Sequence, residues 1–164
     1  MASNLKNLSS YNRNNIPSAS DMCIGIIVSE WNEEITSALL NGALKTLLFH
    51  GAQEKNIFVR YVPGSFELPS GAQFLIDTDK FDAVIALGCV IQGETRHFDF
   101  ICNAVSTGIM QTSLENSIPV IFGVLTTNNL EQAKDRAGGK HGNKGDEAAI
   151  TAIKMIALRN ELDV

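Results

Sequence analysis

The sequence predicts an α/β fold: a three-layer αβα sandwich with a central parallel sheet and helices on both faces. Two observations carry this. Short β-branched apolar runs alternate with longer stretches of helical periodicity along the chain, and each run is closed by a polar or Gly/Pro segment. The first run is apolar throughout, as a strand covered on both faces is. Alternation of this kind requires right-handed crossovers between parallel neighbours.

The elements follow in order. Residues 1–21 are rich in Asn and Ser and have no hydrophobic period, so they are expected to form an arm that is loose in the isolated chain. Residues 22–164 form a single α/β domain. Strand one is Cys23-Ile24-Gly25-Ile26-Ile27-Val28. Asn32 is placed to cap a helix whose first turn carries Glu33 and Glu34, favourable at the positive end of its dipole. Ile35, Leu39, Ala43 and Leu47 recur on one face of that helix, and Gly51 is its expected stop. Residues 57–62 form the second strand, followed by a Pro63–Pro69 turn and a short helix to about Ile76. Residues 83–87 form the third strand, then a loop over 88–96 and a helix with Phe98, Ile101, Cys102, Val105 and Ile109 in helical spacing. Residues 120–125 form the fourth, followed by a helix ending at Gly138-Gly139. A last helix runs from about Asp146 to Asn160. Its Ala148, Ala149, Ile150, Ala152, Ile153, Met155, Ile156 and Ala157 spread around most of its circumference, more than one sheet face needs, so a neighbouring subunit is expected to cover the rest.

Composition narrows the function. Lys and Arg number 13 against 18 Asp and Glu, a net charge of −5 that disfavours phosphate-backbone binding, so no nucleic-acid partner is expected. No apolar run is long enough to cross a bilayer, and no basic n-region precedes an apolar h-region, so neither a membrane partner nor a secretory signal is expected. Cys23, Cys89 and Cys102 are odd in number and lie in apolar stretches, as reduced thiols of a cytoplasmic protein would. No Cys/His spacing suggests a metal, and none is expected.

In open parallel sheets ligands bind beyond the carboxyl ends of the strands. That rule selects residues 29–32, 63–67, 88–97 and 126–129, which hold the only Trp of the chain. The segment Gly88-Cys89-Val90-Ile91-Gln92-Gly93-Glu94-Thr95-Arg96-His97 leaves a strand and opens a helix, where free backbone N–H groups and the dipole can receive a phosphate; it also reads as a Gly-containing turn capped by Thr95. At Glu94 only the amide could meet an anion, with the carboxylate turned away. His97, in the first turn of that helix, is placed to move protons near neutral pH. Glu67 either accepts hydrogen bonds from a ligand or caps the next helix, and Trp31 either stacks on a flat heterocycle or packs the rim. Arg136 and Lys140 lie near a helix C-terminus, where cations are favoured in any case.

The runs IIVSEWN (26–32), VPGSFELP (62–69), GCVIQGETRH (88–97), FGVLT (122–126) and DRAGGKHGNKG (135–145) stand in one order, and together the chain resembles the lumazine synthases. The resemblance implies a flavodoxin-like sheet and the condensation of 5-amino-6-(D-ribitylamino)uracil with 3,4-dihydroxy-2-butanone 4-phosphate to 6,7-dimethyl-8-ribityllumazine, the penultimate step of riboflavin biosynthesis, without a cofactor. It implies that Trp31 stacks on the pyrimidine and that Ser65, Phe66 and Glu67 meet the uracil and ribityl chain. Cys89, Val90 and Ile91 would line the other edge of the ring. Glu94, Thr95 and Arg136 would hold the phosphate, and His97 would be the proton donor. Phe122 would enter the pocket of an adjacent subunit, with Lys144 and Glu147 at the site edge. It further implies a pentamer, and the short 138–145 connection resembles that of members that build a 60-subunit shell; riboflavin synthase is a candidate partner. Two other functions compete: a non-catalytic shell that binds a lumazine or flavin, and a generic FMN binder. The pairing of His97 with Arg136 argues against the first. The acidic, bulky Ser29–Asn32 segment argues against the second.

Overall fold

The computed structural model describes residues 7–163. Four parallel strands, β1 (Ile24–Ser29), β2 (Ile57–Val62), β3 (Ala83–Ile91) and β4 (Val120–Thr127), form a sheet of order β2-β1-β3-β4. One face is covered by α1 (Glu33–Phe49), α4 (Leu130–Arg136) and α5 (Lys144–Glu161), the other by α2 (Leu68–Ile76) and α3 (His97–Asn116). This is the three-layer flavodoxin-like arrangement.

The layers follow from strand periodicity. In β1, Ile24, Ile26 and Val28 pack against α1 and α5, while Ile27 packs against α2 and α3. In β3, Ile85, Leu87 and Cys89 face the first group, and Val84 and Ala86 the second. Both central strands are buried on both sides, which is why neither shows an apolar–polar alternation.

Several boundaries depart from the sequence reading. β3 does not end at Leu87: Cys89, Val90 and Ile91 pair with Leu125, Thr126 and Thr127 of β4, so tertiary pairing overrides the glycine at 88. The same pairing lengthens β4 to Thr127. Gly138 and Gly139 do not simply end a helix. Residues Ala137–Gly139 (β5) and Gly142–Asn143 (β6) form a small antiparallel pair. α5 begins at Lys144, two residues early, because the Asn143 side chain accepts the Gly145 N–H and caps it.

Asn32 precedes α1 as expected but makes no side-chain cap. Its backbone is left-handed, φ 62 and ψ 45. Gly51, at φ +93, ends α1 as expected.

The described part of the arm lies against its own chain. The Leu8 N–H donates to the His141 carbonyl, and the Ala19 N–H to that of His50. Tyr11 Oη lies 3.2 Å from His50 Nε2, and the Arg13 guanidinium sits 4.7 Å above the Phe49 ring. The expectation for residues 1–6 falls outside the described residues. No helix among the described residues is long and apolar enough to cross a membrane.

Candidate active site

The order β2-β1-β3-β4 places the direction change of the chain between β1 and β3, where ligands of such sheets bind. A cavity of about 290 Å³ opens there. Trp31 lies in its wall beyond β1, Ser65, Phe66 and Glu67 beyond β2, and Cys89, Val90 and Ile91 at the end of β3; His97 comes from the first turn of α3. Eight of the residues selected from sequence thus share one pocket.

Each is positioned by a local cause. Glu30 and Trp31 continue the β1–β2 ladder through N–H donation to the Val62 and Pro63 carbonyls, which fixes the backbone of Trp31 while its indole stays 72% exposed. A ring that exposed offers a face to a planar ligand rather than filling the core. Phe66, 57% exposed, does the same from the opposite loop. Beside them the Ser65 hydroxyl is buried and makes no hydrogen bond within the chain. A buried hydroxyl without a partner is costly, and a polar ligand entering the pocket would remove that cost. Cys89 is buried and its thiol is pushed up to about 11 by burial, so at neutral pH it is a packing group and not a nucleophile.

The turn that precedes α3 is open. Residues 92–97 are all exposed, and a Cβ built on Gly93 would meet nothing within 4 Å. The Thr95 hydroxyl accepts the His97 N–H at 3.4 Å. Glu94 and Thr95 therefore border the pocket mouth in sequence but do not line the cavity wall.

Four residues fall elsewhere on this chain. Arg136, at the end of α4, donates from Nη1 to the Gln132 carbonyl at 3.0 Å. Lys144 pairs with Glu147 at 2.7 Å. Phe122 and Glu147 line a different cavity, of about 350 Å³, between α3, β4 and α5. Asn32 and Gly64, which lie in the segments selected from sequence but were given no role there, also line the pocket, as does Ile101, which lies outside those segments. Ile101 was within reach of sequence reasoning, since it sits four residues after His97 and so on the same helix face.

The fold and site define a class: an α/β protein whose small-molecule pocket stands at the switch point of a flavodoxin-like sheet. Residues 21–160 match the family model for 6,7-dimethyl-8-ribityllumazine synthase. The chain is similar to the 6,7-dimethyl-8-ribityllumazine synthase of Cytophaga hutchinsonii, at 64% identity over 157 residues, covering 96% of this chain and 98% of that one. It is also similar to those of Phocaeicola vulgatus, 55% identical over 162 residues with 99% and 96% covered, and Parabacteroides distasonis, 56% over 156 residues with 95% and 98% covered. The chain belongs to the 6,7-dimethyl-8-ribityllumazine synthase family.

Proposed function

We propose that the chain condenses 5-amino-6-(D-ribitylamino)uracil with 3,4-dihydroxy-2-butanone 4-phosphate to 6,7-dimethyl-8-ribityllumazine, releasing phosphate and water. The observation that carries this is the convergence of Trp31, Ser65–Glu67, Cys89–Ile91 and His97 on one cavity in a member of that family.

The residues divide the work. Trp31 and Phe66 hold the flat ring. The Ser65 hydroxyl and the Glu67 carboxylate take hydrogen bonds with its polar edge and the ribityl chain. The phosphate sits on the backbone of the Glu94-Thr95 turn, at the positive end of α3, with Arg136 of a neighbouring copy as its counter-charge. His97, between the two, delivers the proton that lets hydroxyl leave as the imine forms and accepts one as phosphate is eliminated; ring closure then expels water. Holding both substrates together lowers the barrier more than this proton transfer does. Mixing purified protein with the two substrates and following the fluorescent lumazine tests the reading. Binding without turnover would leave a storage protein in its place.

The same reading makes the working unit a cytoplasmic pentamer, assembling further to a 60-subunit shell, with Phe122, Lys144 and Glu147 completing the pocket of a neighbour. Support comes from apolar side chains that this chain alone leaves exposed: Met155, Leu158 and Leu162 on and after α5, and Phe100, Met110 and Leu114 on α3. Free Cys23, Cys89 and Cys102 suit a reducing compartment, and riboflavin synthase is the candidate partner. Sedimentation decides the assembly: a five-subunit species alone removes the shell.

A further inference from the structure

β1 and β3 are in register only from Ile24 opposite Ala83 to Val28 opposite Leu87. Beyond that point β1 stays with β2, through Ser29 opposite Val62 and the N–H groups of Glu30 and Trp31. β3 stays with β4, out to Ile91 opposite Thr127. The two middle strands therefore part, and the pocket occupies the wedge between them. Splitting a sheet at its buried centre strands backbone groups that need partners. The Cys89 carbonyl, on a residue 1% exposed, receives the Asn32 side-chain amide at 2.9 Å.

Asn32 reaches that carbonyl from a left-handed backbone, and its side chain gives up the helix cap its position offers. We propose that Asn32 is a positioning residue: its amide braces the β1–β3 wedge and so holds Trp31, its chain neighbour, at a fixed distance from Val90 and Ile91 on the opposite wall. The brace sets the width of the slot into which the flat ring enters. This rests on the reading of the pocket's Trp31 end as the pyrimidine end.

Two variants separate the amide from the backbone. Asn32→Gly accepts the left-handed conformation and removes only the side chain, whereas Asn32→Asp keeps the size and sets a carboxylate oxygen against the carbonyl. Trp31 is the only tryptophan, so its emission reports the wall directly. In both variants the KM for 5-amino-6-(D-ribitylamino)uracil rises about tenfold while that for the butanone phosphate moves less than about twofold. Without any ligand, the time-resolved anisotropy of Trp31 decays faster than in the parent chain. A pyrimidine KM or an anisotropy decay unchanged in Asn32→Gly overturns the brace, as does an equal rise of both KM values. A parent chain that makes no lumazine overturns the proposed reaction instead, and the anisotropy comparison then decides the brace alone.

Discussion

Gly88 leaves the room that the Ser65 hydroxyl occupies. A Cβ at position 88 would stand 2.7 Å from Ser65 Oγ and 2.8 Å from Leu68 Cδ1, both inside contact distance. Gly88→Ala should therefore push the Ser65 loop into the cavity. The expected cost is about 1–3 kcal/mol of stability from overpacking, read as a lower thermal midpoint. A higher KM for the pyrimidine substrate should accompany it, whereas an unaltered KM would show that the loop has room to move.

His97 and Arg136 should separate in steady-state kinetics. His97→Ala lowers kcat by no more than the ~10²–10⁴-fold that general acid–base help supplies, and turnover persists because both substrates are still held together. Arg136→Ala mainly raises the KM for the butanone phosphate, by about tenfold to a hundredfold, the worth of a charge-assisted hydrogen bond. Complete loss of activity in the His97 variant would contradict this division.

Cys89 should be chemically quiet despite lining the pocket. With the thiol pushed up to about 11 from its ordinary value of 9.0, the thiolate fraction at pH 8 is about a thousandth rather than about a tenth. Iodoacetamide is expected to modify Cys89 far more slowly than an unfolded control, and Cys89→Ala should retain turnover. Rapid alkylation at Cys89, located by mass spectrometry, would contradict the burial argument.

Acid should loosen the arm. Burial, and then the nearby Arg13 guanidinium, hold the His50 imidazole below its ordinary value of 6.5. Between the folded and unfolded values the unfolded state carries the extra proton. The stabilisation is therefore present above 6.5 and is lost as pH falls through the lower, folded value. Hydrogen exchange across residues 8–19 should accelerate as pH drops from about 7.5 to about 5.5, after correction for intrinsic rates. His50→Gln should flatten that dependence.

The fold was legible in the sequence because burial on both faces leaves β1 and β3 as unbroken apolar runs, and because Ile35, Leu39, Ala43 and Leu47 keep a helical period. The pocket residues were legible for a related reason: strand ends converge in such sheets, so finding the strands finds the rim. Less visible was anything set by pairing across the sheet. The extension of β3 through Cys89–Ile91 depends on β4, some 36 residues on by the register Cys89 opposite Leu125. Asn32 carries every mark of a helix cap, and only the Cys89 carbonyl, distant in sequence, turns it to another use.

The parting of β1 from β3 also governs when the pocket comes into being. Its walls are drawn from three crossover units, with Trp31, Ser65 and His97 spread across the first two-thirds of the chain. No single unit closes the cleft by itself, so helix content can return during refolding before any ligand is recognised. Parallel pairings of this kind are non-local and form slowly. Ligand capture by a refolding chain thus times the docking of its middle strands.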